Sequence, residues 1–174
     1  MHPEGTQPEG IQRKGILQRG LYADEIEVGA RYLHRPGRTV TESDNVLFSA
    51  LTINTQALHL DAAFSATQPF GKPLINSMWT LATMVGSSVG QLTQGTLVAQ
   101  VGLSDVAFPH PLFAGDTLYC ETTIEAVRPS ASRPGQGVVT MRHTARNQHG
   151  ETVATATRTA LMWSSDSTLE KEHQ

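Results

Sequence analysis

The sequence is poor in cysteine and has no long apolar run. Its 174 residues include one cysteine, Cys120, so no disulfide can form within the chain, as is usual in a reducing compartment. No apolar stretch approaches the roughly 20 residues that a membrane-spanning helix needs, so we expect no membrane insertion. Cys120 stands among alternating apolar residues, and we expect a buried structural thiol rather than a reactive one.

The chain also lacks an excess of positive charge. Its 13 Lys and Arg residues against 16 Asp and Glu residues give a net charge of -3 at pH 7. Proteins that bind nucleic acid or anionic membranes usually carry a basic patch, so both partners are disfavoured. The first residues carry charges instead of the apolar core of a signal peptide, and we expect a cytoplasmic protein.

Several common functional motifs are missing. No G-x-G-x-x-G or G-x-x-x-x-G-K-[ST] sequence is present, which disfavours nucleotide phosphate binding of those types. The usual zinc spacings, H-E-x-x-H and C-x-x-C, are absent, so we predict no metal site. No G-x-S-x-G sequence marks a serine nucleophile.

The length fits one domain with a substantial core. Residues 1–20 are rich in Gly, Pro, Gln and charge, and we predict a flexible N-terminal arm. Residues 21–163 are predicted to form the folded domain, and the polar residues 164–174 a flexible C-terminal tail.

The first half of that domain shows helical signals. A first strand is predicted over residues 32–40, followed by a helix that Thr41 caps with Asp44 three residues later. A short helix is expected from Asp61, and the strongest helix follows Pro73. Asn76 or Ser77 can cap that helix. Its predicted apolar stripe consists of Met78, Leu81, Ala82, Val85, Val89 and Leu92, broadened by Trp79 and Ile75.

The second half alternates between apolar and polar residues, which is typical of strands. One strand is predicted from Leu97, with a bulge before Val106, and a second follows a turn at residues 113–116. Residues 139–147 and 152–162 are predicted to form a hairpin around His149. One apolar helix followed by long antiparallel strands predicts an α+β fold with the sheet curled around the helix.

Residues 51–64 carry the most promising chemistry. The side chains of Thr52, Asn54, Thr55 and Gln56 lie between two apolar helical segments, and His59 follows. A single imidazole in a polar turn between helices is a plausible acid/base group. Asp61 is expected to cap the next helix. Fewer neighbouring polar residues suggest an acid/base role for the other candidates, His34, His110, His143 and His149.

Four segments together resemble the MaoC-like, R-specific enoyl-CoA hydratase family. They are L-T-x-N-T-Q-x-L-H-x-D at residues 51–61, F-G-K-P-L-I-N-S-M at 70–78, F-P-H-P-L-F-A-G-D-T-L at 108–118 and R-P-S-A-S-R-P-G-Q-G-V-V at 128–139. The last segment is similar to the mesaconyl-CoA (β-methylmalyl-CoA) hydratase branch. The likeness covers roughly residues 38–163.

This resemblance implies a single hot-dog fold and reversible addition of water to the C2=C3 double bond of an enoyl-CoA. It implies that His59 transfers the proton and that the Ser77 backbone N–H polarises the thioester carbonyl. The family's usual aspartate is Asn54 here, and an amide can orient a water but cannot take its proton. No cofactor is implied beyond the coenzyme A of the substrate.

The resemblance also implies substrate contacts and a partner. Asn76 replaces a helix-leading histidine of many relatives, and we expect it to bind substrate. Arg128 and Arg133 could bind a CoA phosphate or the free carboxylate of a dicarboxylic acyl group, although they could equally belong to a solvated loop. A single hot-dog domain leaves a sheet edge unpaired, so a homodimer or higher homo-oligomer is expected.

Two alternatives remain open. A hot-dog acyl-CoA thioesterase usually carries a carboxylate on the central helix, whereas residues 77–92 contain no Asp or Glu. A non-catalytic acyl-CoA-binding hot-dog subunit would be consistent with loss of the aspartate at Asn54.

Overall fold

The computed structural model describes residues 18–167. The rest of the predicted arm, residues 1–17, and of the predicted tail, 168–174, lies outside the described residues. Both ends of the described chain are bonded to the domain. The Gly20 N–H donates to the Gln94 carbonyl at 2.7 Å, and Ser165 donates to the Asp24 carboxylate through its N–H and hydroxyl. The packed chain therefore reaches slightly beyond residues 21–163.

Five antiparallel strands form one sheet in the order β1-β3-β4-β5-β2. The strands are β1 Arg31–Thr39, β2 Leu97–Ala107, β3 Thr117–Pro129, β4 Gln136–Arg146 and β5 Thr152–Trp163. The helices are α1 Glu42–Leu51, α2 Ala57–Leu60, α3 Ala62–Ala66, α4 Ser77–Ser87 and α5 Val89–Leu92, with a 3-10 turn at Ala23–Glu25. The predicted α+β architecture is confirmed, and so is the hairpin around His149. No helix in this stretch is long and apolar enough to span a bilayer.

The sheet packs around α4 because alternate residues of its strands are buried. On β3 these are Leu118, Cys120, Thr122 and Ile124, and a register shift after Ile124 ends the alternation. Met84 of α4 is fully buried in the same core cluster as Leu118 and Cys120. Truncating such a side chain to alanine typically costs about 2–5 kcal/mol of stability. The predicted burial of Cys120 is confirmed, and burial raises the pKa of its thiol.

The predicted apolar face of α4 is confirmed at Ile75, Trp79 and Leu92 and is wrong at Met78 and Ala82. The buried residues are Trp79, Thr80 and Met84, whereas Met78 is 49% exposed and Ala82 is also exposed. The helix also ends at Ser87 instead of continuing to residue 92. Burial of Thr80 and Ser88 is possible because their hydroxyls donate to the Asn76 and Val85 carbonyls of the helix itself.

Strand β2 forms one edge of the sheet. Its pairing with β5 shifts register three times, including once between Ser104 and Ala107, where the bulge was predicted. Asp105 in that bulge has a φ of 50°. The strand exposes apolar side chains, with Val101 at 63% and Leu103 at 39%. This edge is therefore irregular and only partly covered within the subunit.

Candidate active site

His59 lines a cavity of about 220 Å³ on the α1 side of the domain. The half-buried imidazole shares that cavity with Asn45 and Val46 of α1, with Lys72, and with Phe113. Helix α2 carries His59, and Asp61 ends α2 and caps α3 by accepting from the Phe64 N–H at 2.9 Å. The predicted capping role of Asp61 is confirmed, and the two short helices turn the chain back beneath α1.

The hydrogen bonding of His59 defines its neutral form. Its Nδ1 lies 2.9 Å from the Leu74 carbonyl oxygen. A carbonyl can only accept, so in the neutral ring the proton sits on Nδ1 and the lone pair on Nε2. The His59 ring is therefore arranged as a proton acceptor through Nε2.

Asn45 connects His59 to the segment that leads into α4. Its Nδ2 donates to the His59 carbonyl at 2.9 Å and to the Leu74 carbonyl at 3.0 Å, and its Oδ1 accepts from the Asn76 N–H at 2.8 Å. The residue is 3% exposed. The sequence analysis did not predict a role for Asn45, because α1 was identified by its cap and its apolar residues. Its spacing of four residues from Ser49, also buried, was the available signal.

Asn76 and Ser77 begin α4. The Asn76 side chain accepts from the Met78 N–H at 3.0 Å and donates to the Ser49 hydroxyl at 3.3 Å, which confirms its predicted capping role. The residue is 2% exposed, so its amide is committed to the protein interior; the expected contact with substrate stays a prediction. Within residues 18–167 no acceptor bonds the Ser77 N–H, as expected at the first turn of a helix.

Ser77 lines a second cavity, of about 180 Å³, together with Phe70, Phe108 and His110. The two cavities meet at Ile75, which lines both. The Ile75 N–H donates to the Leu112 carbonyl at 2.9 Å. Phe70 of one cavity meets Phe113 of the other edge-on, with ring centroids 6.3 Å apart. His59 and Ser77 therefore line two cavities that share Ile75.

Asn54 follows a strained turn at the end of α1. The preceding Ile53 has a φ of 57°, a left-handed conformation that costs a β-branched residue roughly 1–2 kcal/mol. The Asn54 side-chain oxygen accepts from the Gln56 N–H at 3.1 Å. Asn54 is half-buried and is not among the residues that line either cavity described above. Its amide NH₂ is the group that it could offer to a water.

Arg128 and Arg133 are not among the residues that line the His59 cavity. Strand β3 begins at Thr117, next to the turn that carries Phe113, and Arg128 stands 11 residues further along it. At a rise of about 3.3 Å per residue, a straight strand would place Arg128 at most roughly 35 Å from Thr117. Both arginines line a groove of about 440 Å³ with Ser130, Ser132 and Leu161. The structure does not bring them together with His59 in one subunit.

A second polar cluster, which sequence reasoning also missed, lies on the buried face of the sheet. His34 Nδ1 lies 2.6 Å from Gln91 Oε1, and Thr122 Oγ1 lies 2.7 Å from His34 Nε2 and 2.8 Å from His143 Nδ1. Burial, reinforced by the Arg158 charge, lowers the pKa of His143 to about 3. Burial also lowers the pKa of His34. Both rings are therefore neutral near pH 7.

Three nitrogens of this region have no hydrogen-bond partner within residues 18–167: His143 Nε2, and Nε and Nη1 of Arg158. Arg158 is 2% exposed, and burial lowers its pKa. It forms no ion pair with any carboxylate of the described chain. Nor do the His, Cys, Asp and Glu side chains of the described chain assemble a group of three that could hold a metal ion.

The MaoC like domain family matches residues 24–147. An (R)-specific enoyl-CoA hydratase of Aeromonas caviae is 32% identical over 106 residues, which cover 61% of this chain and 76% of that protein. A mesaconyl-CoA hydratase of Cereibacter sphaeroides is 25% identical over 141 residues, or 81% of this chain. The chain spans only 40% of the length of that second relative.

A solved structure shares the fold at twice the length. A protein of Mycobacterium tuberculosis with a double hotdog fold aligns with a TM-score of 0.74 and 23% identity. The alignment covers 84% of this chain and 45% of that one. The described sheet around α4 thus corresponds to one hot-dog unit, as predicted.

Proposed function

The chain belongs to the MaoC-like domain family, and from that membership we propose that it is an enoyl-CoA hydratase, adding water reversibly across the C2=C3 bond of an acyl-CoA thioester. One observation supports this activity most. The Leu74 carbonyl holds the proton of His59 on Nδ1, so Nε2 can accept a proton, beside a cavity that adjoins the start of α4.

In the proposed mechanism His59 Nε2 takes a proton from a water in its cavity; for Asn54, which does not line that cavity, orienting this water stays a prediction. The water oxygen bonds to C3, and the electron pair of the double bond moves toward the thioester oxygen. The Ser77 N–H and the positive end of α4 stabilise that developing negative charge. His59 then returns the proton to C2, so the sum is addition of one water.

We further propose an acyl group that carries a free carboxylate, such as mesaconyl. Lys72 lines the His59 cavity and places its ammonium 4.0 Å from the centre of the Phe113 ring. It forms no ion pair within residues 18–167, although Glu42 lines the same cavity. For Arg128 and Arg133, contact with substrate stays a prediction that requires the site of a second copy.

The variants Lys72→Met and Arg133→Ala together test whether Lys72 or Arg133 binds the free carboxylate. Losing one charge-assisted bond of about 1.5–3 kcal/mol should raise KM for mesaconyl-CoA roughly tenfold or more. KM for crotonyl-CoA, which has no free carboxylate, should stay within a few-fold. Equal increases of KM for both substrates in Lys72→Met would exclude binding of the free carboxylate by Lys72. An increase of KM for mesaconyl-CoA alone in Arg133→Ala would show that Arg133 binds that carboxylate.

A homodimer is the partner that we propose. Between α4 and β2 runs a groove of about 330 Å³ lined by Met78, Leu81, Val85 and Leu103. A second copy would cover this groove and the irregular β2 edge, and would supply the unit that the double hotdog protein carries in one chain. Light scattering at micromolar concentration should give twice the mass of the chain. A monomer would contradict the proposal.

The activity itself is tested by incubating the protein with crotonyl-, mesaconyl- and itaconyl-CoA. Hydration removes the absorbance of a conjugated enoyl thioester while the thioester stays intact. Release of free CoA with an unchanged double bond would point to a thioesterase instead. Tight binding of all three thioesters without turnover would point to a non-catalytic subunit.

A further inference from the structure

We propose that Asn45 is a positioning residue that sets the distance between the proton-accepting His59 and the start of α4. The proposal rests on the proposed hydratase function and adds a residue to it. Asn45 belongs to α1 and is buried between two other segments of the site.

The Asn45 side-chain amide forms three hydrogen bonds to these segments, each no longer than 3.0 Å. Both N–H bonds of its amide go to carbonyls, of His59 at 2.9 Å and of Leu74 at 3.0 Å. Its oxygen accepts from the Asn76 N–H at 2.8 Å. The amide therefore fixes one residue on α2 and two on the segment before α4.

The Leu74 carbonyl makes this contact relevant to chemistry. It accepts from Asn45 Nδ2 and also from His59 Nδ1, at 2.9 Å. Both of its lone pairs are thereby used, and its direction fixes both the ring orientation and the tautomer of His59. Asn76, held by the same amide, directly precedes Ser77, whose N–H meets the thioester in the proposed mechanism.

Few other side chains can make this pattern. An aspartate at position 45 would still accept from the Asn76 N–H, but a carboxylate would face two carbonyl oxygens. An alanine would leave the buried Asn76 N–H unpaired, which costs about 1–3 kcal/mol. In either variant the carbonyls of Leu74 and His59 lose the hydrogen bonds that the Asn45 amide donates to both. A displacement of about 1 Å at a reacting group can cost roughly 10²-fold in rate.

The test compares Asn45→Asp and Asn45→Ala with Asn147→Ala. Asn147 is a matched control because it is 5% exposed, donates to Glu151 and accepts from the His149 and Glu151 N–H groups, all within the β4–β5 turn. Both Asn45 variants should lose about 10²-fold in kcat for enoyl-CoA hydration with KM within a few-fold. Asn147→Ala should lose comparable stability and keep its kcat.

A second readout does not depend on turnover. In nitrogen NMR of histidine-labelled protein, the His59 Nδ1 signal should move in Asn45→Asp and stay in place in Asn147→Ala. A folded Asn45→Asp protein with kcat within a few-fold of wild type, or with an unmoved His59 signal, would overturn the proposal. Failure of both Asn45 variants to fold while Asn147→Ala folds would also overturn it, because Asn45 would then serve folding. An inactive wild type would refute the proposed function, and the NMR comparison would then decide the Asn45 contacts alone.

Discussion

Two buried polar clusters in this domain differ in how completely they are paired. The first, here the site cluster, consists of Asn45, Ser49, His59, Leu74 and Asn76. Its central amide is bonded on both sides and borders a cavity. The second, here the sheet cluster, consists of His34, Gln91, Thr122, His143 and Arg158. Its chain of hydrogen bonds ends at His143, and two Arg158 nitrogens have no partner within residues 18–167.

The difference shows that a strongly shifted pKa does not by itself mark the site of chemistry. Shifted values often cluster at functional sites. Here the large shift belongs to His143, which is fully buried in the core, whereas the candidate base His59 borders a cavity. Burial beside the Arg158 charge explains the shifted pKa of His143, and geometry beside a cavity singles out His59.

The largest predicted effect comes from breaking the site cluster at His59. His59→Ala should lose about 10²- to 10⁴-fold in kcat for enoyl-CoA hydration, because a general base is removed. His149→Ala is the control, since His149 is exposed in the β4–β5 turn and lines neither cavity. It should stay within a few-fold of wild type in the same steady-state assay. A loss in His149→Ala as large as that in His59→Ala would contradict the assignment of the base to His59.

The next effect comes from removing the unpaired charge of the sheet cluster. Arg158→Met should leave hydration unchanged and raise the free energy of unfolding by about 1–4 kcal/mol, because a buried charge without a partner is costly. Arg142→Met is the control, since Arg142 is half-buried and donates to Thr157 at 3.1 Å. It should change stability little in urea titrations. Destabilisation by Arg158→Met would mean that the guanidinium is paired in solution.

The smallest predicted effect is the loss of stability at acid pH that His143 causes. Its pKa is about 3 in the folded protein against 6.5 for a free side chain, so between these values the unfolded chain binds a proton that the folded chain does not. Stability should therefore fall as pH drops below about 6.5, by about 1.4 kcal/mol per pH unit for this residue. His34 acts in the same direction. Urea titrations of wild type and His143→Gln from pH 7 to 5 should show that the free energy of unfolding falls less steeply with falling pH in the variant. An equal dependence on pH in both proteins would mean that another group causes the acid sensitivity.

Local signals predicted much of the fold from the sequence. Caps at Thr41, Asp61 and Asn76 depend on short-range hydrogen bonds, and all three are present as expected. The β4–β5 hairpin follows from alternation on both sides of its turn. The buried Cys120 follows from the same alternation on β3.

Features set by tertiary packing were harder to predict. On α1 and α4 the apolar residues Leu51 and Met78 are exposed at 74% and 49%, while Asn45 and Thr80 are buried. Apolar periodicity assigns such helices the wrong face when polar side chains are bonded inside. That Arg128 and His59 line different cavities is set by the tertiary fold, which resemblance between short motifs does not convey.

The central claim is that water is added to C3 of an enoyl thioester. The most direct measurement is mass spectrometry of crotonyl-CoA after reaction with the protein in water labelled with a heavy oxygen isotope. We expect an intact 3-hydroxyacyl-CoA that carries the label in its hydroxyl group, formed by wild type and not by His59→Ala at equal times. Label found in a free carboxylate together with released CoA, or an unchanged enoyl thioester, would contradict it.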